Sequence, residues 1–253
     1  MLRPEYMRRL VDEAHVELYL SANDGGRIYW PWRMHPPKEA TKKYRNACEK
    51  YIIDSDPLDD SVTTTDVLDK AYALDAEVCS LQDIYLDKDG TVHSIMQGLE
   101  VADDHAFDGQ LLLPLQQPYP ECFDEIGLHG TDHLVGLGGL KDGTAKERIK
   151  TTRELRTHIG TDVWLHGFGW GPKGELARAI RQEPTLLDSL DYSTPVQMAD
   201  YTTSTPGAER MSVTAAQAGA KLIEDLREVT SHPRELTAGD MRTEDQSGIE
   251  QWQ

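Results

Sequence analysis

QLLLPLQQPYPECFDEIGLHGTDHLVGLG, residues 110–138, decides the fold. An apolar run at 110–116 is followed by a helix-like segment at 118–127, with Pro118 near its first turn. A second apolar run follows at 133–138. Strand, helix and strand in that order make a crossover unit, which joins parallel neighbours. The same alternation recurs along the chain. Strand-like segments stand at 16–21, 51–54, 72–79, 162–166 and 186–191, with helix candidates at 38–50, 61–71, 143–158 and 172–183. Residues 93–101 read as an eighth strand or a loop, and 208–230 as a long amphipathic closing helix. Seven or eight units in this length predict an α/β fold, a single-domain (β/α)8 TIM barrel over 1–235, with a polar tail at 236–253. A doubly wound open sheet is the alternative, and its best phosphate loop is GLGGLKDG (136–143). The glycines there match neither nucleotide fingerprint.

The 253 residues suit one large domain. No apolar run has the length to span a bilayer, and no apolar segment follows the N-terminal arginines, so a cytoplasmic, non-membrane protein is expected. Cys48, Cys79 and Cys122 lie far apart, without the spacing of a disulfide framework or a zinc cluster. Acidic residues outnumber basic ones 44 to 26, for a net charge of −18 spread along the whole chain. In dilute buffer that charge repels polyanions. At molar salt screening acts over about 3 Å, so an acidic, salt-adapted surface does not exclude a nucleic-acid substrate.

Barrel active sites sit at the carboxyl ends of strands. Those ends supply Asp54, Asp75, Gln116 and Gln117, Gly138 to Leu140, His166 with its glycine-rich turn, and Asp191. Two carboxylates suffice for displacement at a sugar carbon, one attacking and the other moving protons. A third carboxylate beside an amide and bare backbone suits a guanine-like base, whose N1–H and 2-amino group donate. Singly, each residue has an ordinary structural explanation: a cap, a tight turn, a packed histidine. Asp188, three residues before Asp191, is expected to orient the turn or cap the next helix.

In order, YIIDSD (51–56), LDAE (74–77), LPLQQP (113–118), VGLGGL (135–140), LHGFGWGP (165–172) and DSLDYSTP (188–195) resemble the motifs of the tRNA-guanine transglycosylase family. The resemblance spans roughly 50–195, and VGLGGL and DSLDYSTP are its most specific blocks. It implies a pentosyltransferase that exchanges guanine for a 7-deazaguanine through a covalent aspartyl intermediate, without a cofactor or metal. Asp191 would be the nucleophile and Asp54 the acid/base. Asp75 would read the base's N1 edge, Gln116 or Gln117 and the Gly138–Gly139 backbone would meet O6, and the Leu140 carbonyl would meet a 7-substituent. His166 would stack on the base.

The departures favour one branch of that family. DSDPLD replaces the glycine turn after Asp54, and no cysteine cluster exists for the family's zinc subdomain. The loop after Asp191 carries no cation before Arg210. These features resemble the DNA-modifying branch, and the acidity suggests a haloarchaeal virus or host. The expected partners are DNA, with tRNA as the alternative, and a free preQ0- or preQ1-like base; a homodimer is possible in principle. Arg27, Arg33, Lys42, Lys43 and Arg45 are the candidate polymer contacts. A non-catalytic barrel subunit is the reading from a different class.

Overall fold

Eight parallel strands close into a barrel in sequence order in the structure, a computed structural model describing residues 12–21, 24, 26–56, 59, 61–141, 143–194 and 207–230. The predicted tail at 236–253 lies outside the described residues. The strands are β1 (Glu17–Leu20), β2 (Trp32–His35), β3 (Lys50–Ile53), β4 (Val78–Ser80), β5 (Gln110–Leu115), β6 (Leu134–Leu137), β7 (Leu165–Gly167) and β8 (Ser189–Tyr192). The helices are α1 (Lys42–Arg45), α2 (Thr64–Leu74), α3 (Lys88–Asp103), α4 (Tyr119–Ile126), α5 (Ala145–Ile159), α6 (Glu175–Gln182) and α7 (Gly207–Val229). Closure comes from β8 pairing with β1, Tyr19 opposite Asp191 and Leu20 opposite Tyr192.

Local chemistry sets the helix starts. Thr144 accepts from the Glu147 N–H while the Glu147 carboxylate accepts from the Thr144 N–H, a capping box that Thr63 and Asp66 repeat before α2. Gly127, at φ 80°, ends α4 in the left-handed region where glycine carries no steric cost. Two apolar clusters follow. The larger joins most of the strands to the helices that cover them, and a smaller one packs α1 and α2 around Tyr51, Ile53 and Cys79. Cys48, Cys79 and Cys122 are buried free thiols.

Three strand expectations change. The eighth strand is β2, between prolines and containing Arg33 and His35; residues 93–101 belong instead to helix α3. Gly98 in that helix lets the Leu81 side chain approach, since a Cβ there would meet Leu81 at 3.2 Å. The third change concerns 72–79, where α2 runs on to Leu74 and the strand begins only at Val78. Within 38–50 the helix is the single turn α1.

Arg33 is tolerated in a buried strand because its charge is matched. Its guanidinium, fully buried, donates to both oxygens of Asp24 at 2.9 and 3.1 Å. Asp24 also accepts from the Ile28 and Gly26 N–H groups at 2.7 and 3.2 Å. This pair fastens the loop that carries the chain from β1 to β2. Removing one partner of such a pair strands the other charge and costs about 3–5 kcal/mol, whereas replacing both by apolar groups is often neutral. Asp24→Ala is therefore expected to lower Tm by roughly 10 °C. The Asp24→Ala/Arg33→Met double variant should recover most of that loss in thermal unfolding followed by circular dichroism. Equal losses in the two proteins would show that the charge pairing is not what holds the loop.

Candidate active site

A cavity of about 600 Å³ opens at the carboxyl ends of the strands. Asp54, Asp83 and Asp191 line it with Ser21, Lys141, Gly138 and Gly139, and Tyr85, Phe168 and Tyr192 supply aromatic walls. Asp54 follows β3 and its N–H extends the ladder to the His35 carbonyl at 3.0 Å. Asp191 lies within β8, Asp83 three residues beyond β4.

The three carboxylates have different surroundings. Burial and the neighbouring Asp191, Asp83 and Asp56 charges push Asp54 up to about 8, so it carries a proton at neutral pH. Burial also raises Asp191, against contacts that favour its anion. Gly169 N–H donates to Oδ1 at 2.5 Å, Ser21 Oγ–H donates to Oδ2 at 3.3 Å, and the Lys141 charge favours ionisation. Gly169 adopts φ 61°, which directs its N–H at the carboxylate. Burial raises Asp83, opposed by the hydrogen bond from the Gln116 amide. Burial thus raises both carboxyls of one cavity. Asp191 has two hydrogen-bond donors and a nearby cation that favour its anion, whereas Asp54 faces three carboxylates, a difference that suits a nucleophile and an acid.

The predicted site residues divide. Asp54, Asp191, Gly138 and Gly139 line the cavity together. Asp75 does not. It caps the C-terminus of α2 in the left-handed conformation, exposed, before β4 and so at the opposite end of the barrel. The carboxylate that β4 delivers to the cavity is Asp83. Gln116 is buried behind it, donating to Asp83 and accepting from the Leu86 N–H at 3.3 Å, so its amide positions a carboxylate and does not itself line the cavity. Gln117 is exposed outside the cavity. Leu140 packs in the core, and its carbonyl already accepts from the Gly143 N–H at 3.0 Å.

His166 also departs from expectation. It is fully buried, with Nδ1 2.7 Å from Ser189 Oγ and its ring parallel to Trp164. Burial drives it down to about 3, so it is neutral. Its Nε2 lies 3.9 Å from Asp191 Oδ1, beneath the nucleophile candidate. Phe168, edge-on to His166 at 4.6 Å, is the aromatic ring that reaches the cavity. Asp188 sits at the other end of β8, accepting from Arg156 at 2.8 Å and from the Leu165 N–H at 2.7 Å, so it ties the starts of β7 and β8 to α5. Arg33 is internal, and Arg45 pairs with Glu77 at 2.7 Å, so neither is a free polymer contact; Arg27, Lys42 and Lys43 are exposed.

The glycine pair is explained by what surrounds it. A Cβ on Gly138 would stand 2.5 Å from Gln116 Nε2, and one on Gly139 would stand 2.7 Å from Gln116 Oε1. The bare backbone leaves room for the amide that holds Asp83.

No family model matches this chain, and no curated protein matches its sequence. Its fold is similar to a solved structure, the YdjI aldolase from Escherichia coli K12. The TM-score is 0.60 at 10% sequence identity, over 91% of this chain and 98% of the aldolase. At that identity the likeness describes the barrel and leaves the chemistry to the cavity. Among the described residues no helix is long and apolar enough to cross a membrane.

Arg148, on α5, had no part in the sequence reading and organises the cavity wall. It donates to the Gly143 and Lys141 carbonyls on one loop and to those of Gly169 and Trp170, each at 2.9 Å, on the next. It thereby anchors Gly169, whose N–H donates to Asp191, through that residue's carbonyl. Lysine cannot reproduce such a fork.

Asp54 yields a pH prediction. Its folded pKa lies above its unfolded value near 3.8, so folding binds an extra proton between pH 4 and 8 and stability falls as pH rises through that window. Asp54→Asn removes this penalty. Because the cavity is open to water, a gain of about 1 kcal/mol is expected at pH 9, roughly 2–4 °C in Tm, and little or none at pH 4. Thermal melts at the two pH values check it, and an equal gain at both would mean that ionisation of Asp54 carries no stability cost.

Proposed function

We propose that this chain is an enzyme, a transglycosylase that exchanges guanine in DNA for a 7-deazaguanine base. The observation that carries the reading is the pairing, in one cavity, of Asp191, which accepts from the Gly169 N–H and the Ser21 hydroxyl, with a protonated Asp54. Support comes also from the resemblance of the strand-end motifs and from an acceptor-rich cavity with aromatic walls, suited to a base that presents N1–H and a 2-amino group.

In the first half-reaction an Asp191 oxygen attacks the anomeric carbon of the target nucleotide. The bond from that carbon to guanine breaks as the Asp54 proton passes to the departing base, leaving a glycosyl ester and an Asp54 carboxylate. In the second, the 7-deazaguanine gives its ring N–H proton to Asp54 and attacks the same carbon, and Asp191 leaves as carboxylate. Two inversions retain configuration. Asp83, steadied by Gln116, takes the base-reading role first assigned to Asp75, and Phe168 and Tyr85 take the stacking role first assigned to His166. A base within duplex DNA must be extruded to reach the cavity, so single-stranded DNA should react faster.

The test is covalent trapping at molar salt with guanine-containing single-stranded DNA, duplex DNA and tRNA, read on denaturing gels. A DNA adduct is expected from the wild type and none from Asp191→Ala. Asp54→Asn should slow exchange of labelled guanine by about 10²–10⁴-fold. An adduct with tRNA alone would move the substrate to RNA. Absence of both adduct and exchange on all three polymers would overturn the reading in favour of a non-catalytic barrel.

A further inference from the structure

Far from the cavity, on the amino-terminal face of the barrel, three side chains converge that the proposed chemistry does not use. Asp124 comes from the last turn of α4, His129 from the loop leading to β6, and His158 from the last turn of α5. Asp124 Oδ1 lies 2.8 Å from His129 Nε2 and 2.7 Å from His158 Nε2. One potential ligand atom from each of the three lies within 4.8 Å of the other two. Phe123 meets both imidazoles edge to face, its centroid 4.9 Å from His129 and 6.1 Å from His158, and so sets the planes of the two rings. The motif HGTDH places His129, Asp132 and His133 close in sequence, yet the fold separates them. Asp132 and His133 line another hollow with Glu17 and Lys50, while His129 finds partners 5 and 29 residues away.

We propose that Asp124, His129 and His158 form a binding site for a divalent transition-metal ion of the zinc class. Two imidazole nitrogens and one carboxylate oxygen are the donor set that such ions prefer over Mg²⁺ or Ca²⁺, which favour oxygen alone. Three protein ligands leave a fourth tetrahedral position open, and all three side chains are exposed, so water can fill it. On binding, each neutral imidazole turns its Nε2 lone pair toward the ion and carries its proton on Nδ1; Asp124 exchanges two hydrogen bonds for one metal bond. The ion would join α4, the loop before β6 and α5, adding to the side-chain hydrogen bonds and the Phe123 ring contacts at this corner. Placement at the amino-terminal face assigns it to stability, since barrel chemistry sits at the other end.

The experiment uses untagged, chelator-treated full-length protein titrated with Zn²⁺ and, in parallel, Mg²⁺. Calorimetry is expected to give one Zn²⁺ per chain, and Tm should rise by roughly 5 °C at a hundredfold excess of Zn²⁺ over its Kd. His129→Ala and His158→Ala should each weaken binding at least about tenfold and abolish the Tm gain, while His133→Ala should keep both. Co²⁺ substitution should give a tetrahedral visible spectrum in the wild type that both variants lose. If Zn²⁺ binding is absent, or persists unchanged in His129→Ala and His158→Ala, the three residues are a hydrogen-bonded clasp and the proposal is overturned. If Mg²⁺ matches Zn²⁺, the assigned ion class is wrong.

Discussion

Pairing of β8 with β1 sets Tyr19 opposite Asp191, and from that register the geometry of the cavity follows. It leaves Asp191 beside Ser21, the first residue past β1, so the hydroxyl becomes a donor to the carboxylate. It also brings the β7 turn over the same strand end, where Gly169 supplies the second donor. A slip of one residue would point Asp191 at the opposite face of the sheet and remove both. Barrel closure and the placement of two donors on Asp191 are thus one constraint.

Much of this architecture was legible before any coordinates. The 110–138 unit forms as β5, α4 and β6, and Thr144 and Gly127 bound helices where their chemistry says they should. What misled the reading was local. Asp75 occupies a left-handed helix cap without being glycine, so nothing in the sequence marks the end of α2 there, and helix and strand merge into one apolar run. A strand read over 72–79 points to Asp75, whereas the strand that begins at Val78 delivers Asp83. The apolar continuation from Val78 through Leu81 was the signal that could have found it.

The other misreadings share a cause, that burial is decided by partners distant in sequence. β2 carries Arg33 and His35 and looks polar; Asp24, the Ile28 carbonyl and the rings of Tyr44 and Tyr51 help make those residues interior. Residues 93–101 look strand-like because Met96 and Val101, apolar but exposed, break the helical period. His166 reads as a ligand-facing residue from its place in LHGFGWGP, yet its contacts with Trp164, Tyr19 and Ser189 put it under the floor.

Arg148 binds carbonyls of two successive loops at once, and this has a mechanical consequence. Neither loop can swing without dragging the other, so Lys141 and the Gly169 peptide behave as one plate bolted to α5. The entropy of aligning them is spent when the chain folds and not when a ligand arrives, so that side of the cavity greets its guest already set.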